Sequence, residues 1–251
     1  MGKRKQKPSA EAQGKKRRLL SWGFTVGLLA GAVTAALSAL GLFDRLEAGA
    51  GDLLLRLKRP SEPPSEIALV VIDQRSLAEL GSFPWPRGLV AQLIERVHAA
   101  EPHCLALDLA LLEPDNPAAD ERLADAIGRG TTILPVYLTP IPGRPLQWLA
   151  PAPPFAARAH SLGHVELEPD PDGVHRTLYA YRSYGGLSYP AFSAAAVAAF
   201  GGGRLEPLPA PLADRVEESE PVTVIYRGGI PSYSAVAVLR SDNAQVKEWL
   251  E

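Results

Sequence analysis

The chain has 251 residues, 46% of them hydrophobic, with 26 Lys and Arg against 28 Asp and Glu, which sets it at one or two domains and excludes a disordered or collagen-like polymer. Its single cysteine, Cys104, excludes an internal disulfide framework and a cysteine-built zinc site, and in its apolar run it reads as a small buried thiol. The net charge of −2 hides a split: residues 1–18 carry eight basic residues and one acid, Glu11, leaving 18 basic and 27 acidic residues elsewhere and no broad basic face for nucleic acid.

From Leu19 to Phe43 the chain runs 25 residues without a charge. At about 1.5 Å of rise each, a helix there reaches about 37 Å, more than a ~30 Å hydrocarbon core requires. A transmembrane helix is therefore expected over 19–43, with the lipid bilayer as its partner. The basic cluster precedes it and Asp44, Glu47 and Asp52 follow it, so the positive-inside rule places residues 1–18 in the cytoplasm and everything from 44 to 251 outside. A cleaved signal peptide competes, with Ala36-Leu37-Ser38 as its cleavage site, but the apolar stretch is longer than an ordinary signal core. The position of the basic tail against the helix points to topology and anionic headgroups rather than to nucleic acid. Gly23, Gly27 and Gly31, continued by Ala35 and Ala39, put small residues on one helix face and suggest a homodimer; with 13 of the 25 residues Gly, Ala, Ser or Thr, chance gives the same spacing readily.

Residues 44–60 read as an amphipathic helix with Leu46, Leu53, Leu54 and Leu57 on its apolar stripe, ended by Arg59-Pro60-Ser61-Glu62-Pro63-Pro64. Ile67–Ile72 is a continuous β-branched run of the kind buried on both faces. Arg87–Ala100 repeats Leu89, Leu93, Ile94 and Val97 at helical spacing behind Pro84-Trp85-Pro86. Cys104–Leu112 predicts a strand, Pro117–Gly128 a helix and Thr131–Leu138 another strand. The fold class expected is thus α/β, a mixed, partly parallel sheet with a βαβαβ start. Farther on, Gly163–Leu167 and Thr177–Arg182 flank Asp170-Pro171-Asp172-Gly173 and predict an antiparallel hairpin. Tyr189–Phe200 reads as an Ala-rich helix stopped by Gly201-Gly202-Gly203, and Val222–Tyr226 as a last strand.

These segments carry a pattern. Ile72-Asp73, Gly81-Ser82-Phe83-Pro84-Trp85-Pro86-Arg87, Leu107-Asp108 and Glu113-Pro114 resemble the extracytoplasmic sensor domain called the CHASE domain, type two. Leu162-Gly163-His164-Val165, Asp172-Gly173-Val174-His175-Arg176 and Tyr189-Pro190 look like the same family, so the resemblance covers roughly Phe43 to Pro231. It implies a sensory module in a layout of one membrane helix, the outer sensor, further membrane helices and a cytoplasmic output domain such as a nucleotide cyclase or a kinase. Set against that layout, the chain is expected to be an incomplete member that ends at Glu251 ahead of the output domain.

Five residues stand out as candidate ligand-binding groups. Asp73 and Asp108 end successive predicted parallel strands, where α/β folds place working groups, and Glu113 follows closely. Together they suit a cation or a hard divalent ion; alternatively each carboxylate accepts hydrogen bonds from loop amides or caps a helix, and that structural reading is the favoured one. Arg87 opposes the positive end of its helix dipole and calls for an anion, expected to be Asp73 or Asp108. If neither is its partner, it and the helix amides suit an anionic ligand. Trp85 between two prolines is a rigid aromatic that stacks on a ligand or plugs the core. The five histidines (His98, His103, His160, His164, His175) lack metal-ligand spacing, and no metal site or cofactor is expected. The chain holds no Gly-x-Ser-x-Gly elbow, phosphate-binding loop or dinucleotide fingerprint. The reading is a non-enzymatic, anchored extracytoplasmic sensor for an unidentified small molecule or ion. Its alternatives are an anchored metal-dependent hydrolase using Asp73, Asp108 and Glu113, and an inert fragment of a frameshifted receptor.

Overall fold

The computed structural model describes residues 10–39, 41, 49–54, 66–140, 145–213, 215–224 and 229–250. The chain divides into two units, residues 1–59 and residues 60–251. In the first, α1 (Ala10–Ala39) is a single helix of 30 residues. Its stretch Trp22–Ala39 has a mean hydropathy of 1.5 and no buried residue, and Trp22, Phe24, Leu28 and Leu29 all stand exposed. A stretch that carries no charge and, among the described residues, buries none of its side chains matches the length and composition of a membrane span. The expected end of that span, 40 and 42–43, and most of the amphipathic helix expected over 44–60 lie outside the described residues, with only 49–54 seen as helical.

The second unit is a mixed α/β domain. In chain order it runs β1 (Leu69–Val71), α2 (Gln74–Leu80), α3 (Arg87–His98), β2 (Leu105–Ala106), α4 (Pro117–Ile127), β3 (Thr132–Pro140), β4 (Leu146–Leu149), α5 (Pro153–Arg158) and β5 (Ser161–His164). It continues with β6 (Thr177–Tyr179), β7 (Tyr181–Tyr184), β8 (Leu187–Pro190), α6 (Phe192–Phe200), β9 (Leu208–Pro209), β10 (Glu217–Glu218), β11 (Pro221–Thr223), β12 (Ser232–Ser234), α7 (Ala235–Arg240) and α8 (Asn243–Leu250). β3 is the hub: β2 and β5 pair with it in parallel, and β4 pairs antiparallel with its far half.

The predicted helices form because their apolar residues recur on one face and their starts are prepared. Val90, Leu93, Ile94 and Val97 line the buried side of α3. Asn116 caps α4 by accepting hydrogen bonds from the Ala118 and Ala119 amides, with Pro117 in the first turn. Ile94, Leu123, Ile127, Leu134 and Phe155, from α3, α4, β3 and α5, meet in the main core.

Three expectations are corrected. β1 is not buried on both faces: Leu69 is 44% and Val71 40% exposed. It pairs in parallel with β12 rather than sharing a ladder with β2, and of its three residues only Val70 packs against the main core. The strand expected over Cys104–Leu112 is paired only at Leu105–Ala106. The hairpin expected across Asp170–Gly173 does not form. The turn is present, with the Gly173 amide bonded to the Asp170 carbonyl, but β5 pairs with β3 and β6 with β11. The antiparallel hairpin of the fold is β7–β8, closed by Gly185-Gly186 with φ of 57° and 87°. Two adjacent left-handed residues are what a two-residue hairpin loop requires. Gly163 has a different reason to be glycine: a Cβ there would stand 2.5 Å from Cα of Phe192, so only Gly lets α6 close on β5.

Candidate functional site

At the ends of β1 and β12 a polar knot forms. The Ser76 amide, the Ser76 hydroxyl and the Ser234 hydroxyl all donate to Asp73 Oδ1, at 2.8, 2.7 and 2.8 Å. Ser76 Oγ in turn accepts from the Val236 amide at 3.1 Å. Asp73 thereby caps α2 while Ser76 holds the first turn of α7. The Ser76 hydroxyl, then the Ser76 amide and the Ser234 hydroxyl, hold the Asp73 carboxyl below its ordinary range. The structure uses this aspartate to join two strand ends, and it joins Asp73 to Ser234 rather than to Asp108.

Arg87 finds its anion on α4. Its Nε lies 3.5 Å from Asp120 Oδ1, the Asp120 side chain being 5% exposed. Its Nη2 donates to the Glu113 carbonyl at 2.9 Å, and the guanidinium lies 5.4 Å from the Phe155 ring centre. Asp120 Oδ2 accepts from the Asp115 amide at 2.8 Å. The expected partner, Asp73 or Asp108, is corrected to Asp120: α3 packs on α4, and an acid in the first turn of α4 meets the start of α3. Sequence spacing offered only a weak signal for it, an acid at the positive end of a helix behind Asn116-Pro117.

Trp85 is 4% exposed and belongs to the main core. Its indole N–H donates to the Gly81 carbonyl at 2.9 Å. Of the two roles open to it, the structure shows the plug. Asp108 and Glu113 are exposed; the Asp108 charge, after burial and together with Glu166, raises the Tyr137 phenol. Asp73, Asp108 and Glu113 do not converge, and among the described residues no three His, Cys, Asp or Glu side chains form a metal-holding group. The arrangement the hydrolase reading required is therefore not built from that trio.

A further cluster escaped the sequence reading. Arg182 on β7 is 3% exposed, and its Nη2 donates to Glu168 at 2.8 Å and to Glu218. Its guanidinium stands 5.6 Å from the Tyr179 ring centre. His164 on β5 is 1% exposed, its Nε2 placed 3.1 Å from the Tyr179 carbonyl oxygen. Burial, then the charge of Arg182, lower its pKa to about 4. Nearby, Arg176 clasps Asp170 and Asp172, each at 2.8 Å, and its hydrogen bond is the largest cause holding the Asp172 carboxyl at about 2. The only sequence signals were a Gly-His pair in one strand and an arginine among tyrosines in another, neither of which announces burial.

A membrane-length apolar helix followed in sequence by a mixed α/β domain, its polar groups largely spent on one another, defines the class of module to which this chain belongs. The CHASE2 domain family model matches residues 27–249, and the chain belongs to this family of extracytoplasmic sensor domains. No curated protein and no solved structure matches the chain.

Proposed function

We propose that the chain is a membrane-anchored sensory domain of a signalling receptor. Residues 1–18 stay in the cytoplasm, α1 crosses the bilayer, and the α/β domain faces outside, where it binds a small molecule or ion and catalyses nothing. The family match over residues 27–249 carries this reading, since it runs from within the apolar helix to α8. The basic tail ahead of α1 and the acids behind it support the orientation. Of the candidate set, Asp73 and Arg87 are engaged within the domain, so the exposed carboxylates of Asp108 and Glu113 are the groups left to offer charge to a ligand, and binding there favours one of two packing arrangements of the domain. Two copies pair through Gly23, Gly27 and Gly31, a reading supported by the open space over all three positions in this unit.

The orientation is tested by adding protease to sealed right-side-out spheroplasts and to inverted vesicles. The α/β domain is expected to be digested in the former and protected in the latter; the opposite pattern overturns the reading.

A further inference from the structure

β5 meets the antiparallel strands at His164. Val136 of β3 pairs with it, a parallel bridge joins it to Ala191, and Gly163 just ahead lets α6 close over the strand. Its Nε2 stands 3.1 Å from the Tyr179 carbonyl oxygen. A carbonyl only accepts, so Nε2 carries the proton of the neutral ring and Nδ1 keeps the bare lone pair. Nδ1 is buried without a hydrogen-bond partner. The same is true of Nε of Arg182.

We propose that His164 is a proton-operated latch between β5 and the antiparallel strands β6, β7 and β8, closed while Nδ1 is bare and opened when Nδ1 takes up a proton. Protonation turns an unpaired acceptor into an unpaired cationic donor in a site closed to water, beside a second buried cation. Among the described residues, the surrounding elements offer it no counter-ion. α6 carries no titratable residue, β3 carries only Tyr137, β8 only Tyr189 and β6 only Tyr179. β7 contributes Arg182 with Tyr181 and Tyr184. Glu168 and Glu218 are both bonded to Arg182 Nη2.

The depressed proton affinity of the closed form, a pKa of about 4 against an ordinary 6.5, agrees with this geometry. The sign follows from linkage. An opened imidazole recovers its ordinary affinity, so between the two values the open form binds more protons, and opening grows as pH falls. Above the ordinary value the latch is fully closed. The mechanism is the same on either side of a membrane, so it stands apart from the orientation proposed above.

The test uses the full chain in lipid nanodiscs. Hydrogen exchange at residues 161–164, corrected for intrinsic rate, is followed from about pH 7.5 to about pH 4 alongside His164→Gln, whose side-chain amide retains a donor for the Tyr179 carbonyl but takes no second proton. In the native chain the opening equilibrium is expected to rise on the order of a hundredfold between the two affinities, and in the variant to stay flat. A flat native profile, or a variant that responds to acid as the native chain does, overturns the latch. Should the variant fail to fold, the ring nitrogens of His164 are read directly by 15N shifts in the native chain. Titration near the ordinary value with β5 still protected overturns the proposal; a ring that stays neutral until β5 loses protection upholds it.

Discussion

Ser76 shows how much a single hydroxyl does in this domain. It donates to Asp73, contacts Ser234 Oγ at 3.0 Å and accepts from Val236, linking segments 158 residues apart. Ser76→Ala leaves the Val236 amide unpaired in a buried place, and the expected loss is about 1–3 kcal/mol in urea denaturation of the full chain in detergent. An unchanged midpoint would remove Ser76 from this role. Arg87 is a second such residue. Arg87→Met retains the stem against Phe155 but strands the Asp120 charge, for an expected loss of about 3 kcal/mol by the same measurement; adding Asp120→Leu is expected to restore most of it, and independent losses from the two changes would show that the charges do not act as a pair. The Pro84-Trp85-Pro86-Arg87 segment was legible in advance because its stiffness and its helix start are local properties. The identity of the partner on α4 was not, because which acid an arginine meets depends on how two helices pack. For the same reason burial of Arg182 was unreadable: β7 alternates tyrosines with a charge, a pattern that a solvated strand face shares.

At the level of elements, the amphipathic helices declared themselves and the strand partners did not. The repeats in α3 and α4 fix which face is buried, whereas a run such as Leu69–Val71 states only that some face is covered. Its pairing with β12 is a choice made across the whole domain. The missed hairpin is instructive in another way, since Gly185-Gly186 was a stronger two-residue turn signal than Asp170–Gly173. The contact between β5 and α6 allows a direct check. Gly163→Ala forces a methyl group against the backbone of Phe192, at 2.8 Å from its amide nitrogen, and backbone cannot rotate away. A fall in stability of about 2 kcal/mol is expected, read as a lowered denaturation midpoint with faster hydrogen exchange in β5; a neutral substitution would mean that α6 does not close on this strand.

For the molecule as a whole, the apolar α1 was the plainest feature of the sequence, because a charge-free stretch of that length is what the hydrocarbon core of a bilayer demands of a helix. If its small residues pair two copies, Gly27→Leu is expected to reduce cross-linked dimer in native membranes several-fold while leaving the denaturation midpoint of the α/β domain unchanged. Undiminished cross-linking would place any pairing elsewhere. The joining of β1 to β12 has a further consequence for how the protein is made. The first strand of the domain finds its ladder partner only when Ser232–Ser234 has been synthesised, so a nascent chain stalled anywhere earlier carries β1 without that partner. Closing so long a loop is slow. The domain therefore completes its fold only after its last strand has emerged, and until then its opening strand presents an unpaired edge to any other sheet it meets.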